Sequence, residues 1–214
     1  MKASYKTIKS FSSSEIIIQK SRFIGWAAPV SSEKDALDLI QKAKDTYKDA
    51  SHHCYAYTLG TNMGIMRYSD AGEPSGTAGL PMMEVIKRQS VCNCCAVVIR
   101  YFGGILLGAG GLLRAYSQSC SLALQTSGIG IVEETLPVLC EVGYSYWDRL
   151  LHALHALPVE IADQEFAASV NFHLYVRTSD FPVVSSRLLE ITDGSIFMLP
   201  EEPIYRIWET HAAD

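Results

Sequence analysis

No lysine occurs after Lys87, and that absence divides the chain. Residues 1–130 hold 14 Lys+Arg against 9 Asp+Glu, whereas residues 131–214 hold 4 against 14. The two parts present opposite fields to solution, and only the first suits a polyanion. Its excess is modest, with Asp35, Asp38, Asp45 and Asp49 all on one expected helix, so a local basic patch is expected rather than a surface that coats nucleic acid. Apolar runs also stay short. None approaches the ~20 residues of a membrane-spanning helix, and the amino end, Met1-Lys2 followed by a polar alternating stretch, shows no apolar leader core. A cytoplasmic protein without membrane contact is expected. No Gly/Ser linker or low-complexity segment is found, and 48% apolar against 19% charged residues describes a globular chain with a generous core.

Metal-ligand patterns are sparse. Without a secretion signal the six cysteines are expected to stay reduced. Cys94 and Cys95 open the apolar run that continues Ala96-Val97-Val98-Ile99, where cysteine acts as a small buried hydrophobe, so Cys92, Cys94 and Cys95 are read as structural. His52-His53-Cys54 precedes an alternating strand and is read as an exposed or hydrogen-bonded strand start. His152 and His155 are read as surface or boundary residues of a helix rather than ligands. Neither metal nor cofactor is assigned.

Most of the chemistry lies between Arg100 and Tyr116. A buried strand joins an amphipathic helix here through Gly103, Gly104, Gly108, Gly110 and Gly111, with Arg100 and Arg114 at the flanks. A glycine-rich turn lets backbone N–H groups face outward, and a helix start adds its positive dipole end, which together make an anion site. Tight turning and close packing are the structural alternative for the same glycines. Upstream, residues 69–81 form a loop rich in carboxylates, hydroxyls and glycines. Asp70, Glu73, Ser75 and Thr77 either serve a ligand there or cap the helix that follows.

Periodicity places strands near Tyr5 to Phe11, Glu15 to Lys20 and Arg22 to Val30, and a helix from Ser32 to Tyr47 capped by Ser31 or Ser32. A hairpin of Cys54 to Leu59 and Ile65 to Tyr68 follows. Then come a helix from Pro81 to Gln89, a buried strand from Cys94 to Phe102 and a helix from Leu112 to Thr126. Gly128 and Gly130 close a first domain, residues 1–130. The rest, 131–214, reads as strand (Val138 to Tyr146), helix (Arg149 to Leu157, capped by Asp148), strand, strand (Phe166 to Val176), helix (Phe181 to Ile191) and strand (Ser195 to Leu199). That βαββαβ order is the ferredoxin-like one.

Residues 67–79, from Arg67-Tyr68-Ser69-Asp70 through Glu73-Pro74-Ser75-Gly76-Thr77 to Gly79, and residues 97–108 resemble the signature of the YigZ/IMPACT family. Lys20-Ser21-Arg22-Phe23-Ile24 and His52-His53-Cys54-Tyr55-Ala56-Tyr57 fit the same pattern. The resemblance implies an α+β protein. Its first domain would be ribosomal protein S5 domain 2-like, a sheet with helices on one face and a left-handed crossover. Its second would be ferredoxin-like and similar to the fifth domain of elongation factor G. Eukaryotic members influence translation by interfering with activation of a stress kinase through an additional amino-terminal RWD domain, which is not seen here. What carries over is a theme of translation and RNA.

Two functions follow from different classes. The first is a non-catalytic binding module whose basic domain engages RNA or ribosomal phosphate, while the acidic domain orients it or contacts a protein. Arg22, Arg67, Arg100 and Arg114 would supply charge, the five glycines backbone donors, and Tyr101 or Phe102 a stacking surface. Strand alternation turns at least one of these two rings inward. Arg100 has a second role open to it, pairing with Asp70 or Glu73 to fix the loop. The alternative is an enzyme acting on a phosphorylated small molecule or nucleotide, with Asp70, Glu73, Ser75 and Thr77 binding Mg²⁺ or moving protons. Gly108-Ala109-Gly110-Gly111 lacks serine, and no Walker-type lysine motif occurs, so phosphoryl transfer would lack its usual parts.

Overall fold

The structure, a computed structural model, describes residues 4–209. Met1-Lys2 and the residues beyond 209 lie outside the described residues. The chain divides into two compact units, Met1–Val132 with Ile207–Asp214, and Glu133–Arg206. Residues 207–209 thus group with the first unit, whereas the sequence places all of 131–214 in the second. Strand pairing explains the difference. The last strand, β11 (Ile204–Glu209), pairs with β7 (Ile129–Val142), and Ile207 and Trp208 lie directly over Gly130.

In the first unit β1 (Tyr5–Ile8) pairs antiparallel with the start of β7. The main sheet has the order β2-β3-β6-β4-β5, every neighbouring pair antiparallel: β2 (Ser12–Ile18), β3 (Ser21–Pro29), β4 (His52–Leu59), β5 (Ile65–Ser69) and β6 (Cys94–Tyr101). Gln19 and Lys20, both with positive φ (45° and 67°), form the two-residue turn that joins β2 to β3. The central strand β6 is apolar on both faces. Cys94, Ala96 and Val98 face a core shared with α2 (Gly79–Gln89) and α3 (Gly108–Thr126), whereas Cys95, Val97 and Ile99 face α1 (Glu33–Thr46). Helices therefore cover both sheet faces, not one. A central strand without polar alternation requires this, because either face left open would expose apolar surface. Cys92 and Cys95 stand three apart, the spacing of a metal pair, yet Cys94 and Cys95 serve opposite cores. Among the described residues no group of His, Cys, Asp and Glu is arranged to hold a metal.

Ser32 caps α1 in a reciprocal capping box with Asp35. Hydrogen bonds from the hydroxyl and amide of Ser31, joined by those of Ser32, hold the Asp35 carboxyl down at about 2. Helix α3 starts at Gly108, a full turn before the expected Leu112, so Gly108, Gly110 and Gly111 belong to its first turn rather than to the loop.

The second unit runs from β7 through α4 (Tyr144–Leu154), β8 (Val159–Phe166), β9 (Val170–Arg177) and α5 (Phe181–Ile191) to β10 (Phe197–Pro200). Its strands lie in the order β10-β7-β9-β8, all antiparallel. Val170, Phe172, Leu174 and Val176 alternate onto the covered face, packed with Leu150, Leu154, Val184 and Leu188. Helix α4 begins at Tyr144 behind Gly143, so Asp148 lies inside it instead of capping it. The buried stripe Trp147, Leu150, Leu154 requires that earlier start. No helix among the described residues is long and apolar enough to cross a membrane.

Candidate functional site

The loop between β5 and α2 is organised by Asp70. Its carboxylate accepts the backbone amides of Gly76 (2.9 Å), Ala78 (3.0 Å) and Gly79 (2.8 Å), which makes it the cap of α2. Burial alone would raise its pKa, but these three amides outweigh that and hold it below the ordinary carboxylate range. Ser75 and Thr77 do not cap the helix: Ser75 is exposed, and the Thr77 hydroxyl donates to the Pro74 carbonyl at 2.6 Å. The amide of Glu73 donates to the Asp70 carbonyl, and this turn sends the Glu73 side chain inward.

Glu73 meets Arg100 there. Nη1 of Arg100 lies 2.6 Å from Oε1 of Glu73, with both side chains almost fully buried. The same oxygen accepts the phenol of Tyr116 from α3 at 2.8 Å. Burial, with Cys54 and Glu73 close by, pushes the Tyr116 pKa far up, so the phenol remains a donor. Burial likewise lifts the Cys54 thiol to about 12, and it donates to the Asp70 carbonyl at 2.9 Å. His52 completes the group. Its Nδ1 lies 3.0 Å from the Ala71 carbonyl and therefore donates, and its Nε2 stands 3.9 Å from Oε2 of Glu73. Loop, β6, α3 and β4 are tied together at one point.

Beside this cluster lies a cleft of about 400 Å³. His52, Glu73 and Arg100 form its polar side, Pro74, Phe102, Leu106, Leu107 and Leu112 its apolar side, and Gly108 and Ala109 bring the first turn of α3 to it. The N-cap residue of α3, Leu107, makes no cap hydrogen bond, and no other side chain among the described residues accepts the first-turn amides of that helix. Its leading amides are the unpaired donors found at any helix start, and they carry the positive dipole end. The buried Nε of Arg100, on the wall of the same cleft, has no hydrogen-bond partner.

Arg100 is thus brought to the cleft, already paired with Glu73. Arg22 is exposed on β3, pairs with Glu15 at 2.8 Å and lies over the Tyr101 ring at 5.6 Å. Tyr101 donates to Asp49 and does not line the cleft, whereas the half-exposed Phe102 does. Arg67 is exposed on β5 and donates to the Met66 carbonyl; Arg114 is exposed on α3. Gly103 has a packing role, since a Cβ there would lie 2.0 Å from the Lys20 backbone. Gly104 and Gly108 adopt positive φ, and Gly110 and Gly111 sit in the first turn of α3. Asp70 is occupied by backbone amides and Glu73 by Arg100 and Tyr116, so the carboxylates on which a Mg²⁺ reading depends are already engaged.

The role of His52 escapes sequence reasoning. Alternation along β4 is the signal that finds it: His52 shares a parity with Cys54 and Ala56, which enter the α2/α3 core.

Comparison with known proteins assigns this architecture to a family. The Impact N-terminal domain matches residues 19–124, which hold the whole cleft, and a domain of unknown function (DUF1949) matches residues 140–195. The chain belongs to the IMPACT family. It is 41% identical over 193 residues to IMPACT family member YvyE of Bacillus subtilis, covering 89% of this chain and 88% of that protein. Its identity to IMPACT family member YigZ of Escherichia coli is 32% over 191 residues, covering 86% and 92%. A solved structure described as that of a hypothetical protein superposes with a TM-score of 0.60 at 28% identity, covering 94% of this chain and 99% of that one.

Proposed function

We propose that the protein is a non-catalytic, translation-associated regulator whose first unit binds RNA phosphate, free or on the ribosome. The observation that carries this reading is the contrast between two helix starts in one unit. Neither helix is capped by its own N-cap side chain, Ala78 or Leu107; at α2 Asp70 of the preceding loop accepts the leading amides, whereas at α3 no side chain among the described residues does so, and Gly108 and Ala109 line a cleft walled by Arg100 and His52. An anionic ligand supplies at α3 what Asp70 supplies at α2. Family membership supports the translational setting, and the lysine-free second part suits a protein partner better than a second stretch of RNA. The strand order β10-β7-β9-β8 supports reading the second unit as ferredoxin-like; the S5 domain 2 reading of the first rests on the resemblance alone. Titrating a labelled structured RNA with the intact protein at several salt concentrations tests the function. Binding at low salt that weakens as salt rises is expected; no binding, or binding indifferent to salt, contradicts the reading.

A further inference from the structure

Three of the four arginines expected at the phosphate site are already engaged. Arg22 is neutralised by Glu15, Arg67 turns to its neighbouring carbonyl, and Arg100 is internal and paired with Glu73. A nucleic-acid strand tracked along its backbone needs a row of cations or amides, one for each phosphate. The cleft offers one anion position, the start of α3, and beside it an apolar wall.

That wall is unusual for a phosphate site. Phe102 is 48% exposed and Leu106 85% exposed, Pro74 is exposed beside them, and Leu107 and Leu112 continue the apolar surface inward. The guanidinium of Arg100 lies 5.6 Å from the Phe102 ring centroid and so steadies that ring. Apolar side chains held at the rim of a polar cleft mark a ligand with an apolar or aromatic body. The volume of about 400 Å³ suits a small molecule or one residue of a polymer, not a duplex.

We infer that the ligand of the cleft is a single nucleotide unit, either a free nucleotide or the phosphorylated terminal nucleotide of an RNA. Its phosphate sits on the first-turn amides of α3, its base lies against Phe102 and Leu106, and His52 Nε2, left as the acceptor by the Nδ1–H bond to Ala71, accepts a ribose hydroxyl. This rests on the phosphate-binding reading above and narrows it: the strand's end is recognised, and the internal backbone contributes little.

The test uses the intact protein and a fluorescent 5′-phosphorylated single-stranded RNA of a dozen nucleotides. Its competitors are nucleoside 5′-monophosphates and a covalently closed circle of the same sequence. Displacement by the mononucleotides is expected, with the circle at least about tenfold weaker than the linear RNA and a log–log salt slope of roughly −1, the value for one or two phosphate contacts. Replacing both Phe102 and Leu106 by alanine, exposed positions whose loss leaves the core intact, should weaken the mononucleotides by about tenfold through lost stacking. A circle that binds as well as the linear RNA, with a steep salt slope and no displacement by mononucleotides, overturns the proposal and leaves the phosphate-binding function standing. No binding of RNA or mononucleotide in any arm removes both.

Discussion

Arg100 and Glu73 form a buried ion pair, 2.6 Å from Nη1 to Oε1, at side-chain exposures of 6% and 3%. The pair joins the central strand to the loop that caps α2, and Tyr116 brings in α3 through the same oxygen. Two charges taken out of water attract strongly only while both are present, so loss of one partner leaves an uncompensated charge. Glu73→Gln should cost about 3–5 kcal/mol in urea unfolding. Tyr116→Phe removes one hydrogen bond to a charged acceptor and should cost roughly 1.5–3 kcal/mol. A Glu73→Gln protein as stable as wild type would show that the pair does not fasten the loop.

Acid should loosen the same loop. The pKa of Asp70 is lowered in the folded chain, so its stabilisation is complete above the ordinary carboxyl value of about 4 and is lost as pH falls through the lowered folded value. Asp35, held at about 2, behaves alike over the window from about 4 down to 2. Asp70→Ala should cost roughly 1–2 kcal/mol at pH 7 as a lost cap, and it should flatten the fall in stability below pH ~4. Denaturant midpoints measured at pH 7, 4 and 3 give both readouts; an unchanged acid profile would contradict the capping role.

The two kinds of glycine around the cleft should respond differently. Gly103→Ala drives a Cβ into the Lys20 backbone, which has no flexible end to give way, and should destabilise by about 1–3 kcal/mol or more. Gly110→Ala meets nothing within 4 Å and sits in a helical turn, so it should stabilise by roughly 0.5–1 kcal/mol. Melting curves of the two variants should move in opposite directions.

All six cysteines are buried and unpaired, and burial raises the thiol pKa of each. The native protein should therefore resist alkylation at pH 8, whereas the unfolded chain should take up six labels. Rapid labelling of the native protein would contradict this packing.

Periodicity reveals the elements well where burial dictates the residues. Strand β6 is apolar on both faces and is read to within one residue, and α1 follows from its buried stripe and its Ser32 cap. Helix α3 is read as starting late because three glycines have the weakest helical preference, and packing of the helix on the sheet overrides that preference. The site is legible in part. Arg100, Glu73 and Gly108 line one cleft, but Arg22 does not, because hairpin pairing sets Glu15 beside it and composition cannot reveal a partner across a turn. His52 reaches the cleft only because Gly72 and Ala71 fold back over β4, a contact distant in sequence.

Gly110→Asp tests most directly whether the start of α3 holds a phosphate. A carboxylate in the first turn of the helix takes the place of an anionic ligand while favouring the helix dipole, so stability should rise by about 0.3–1 kcal/mol. Measured on one preparation by thermal melting and by RNA titration at low salt, the variant should melt no lower than wild type and lose at least about tenfold in affinity, the equivalent of ~1.4 kcal/mol. A variant of equal stability that binds RNA as tightly as wild type would contradict a phosphate site at the start of α3.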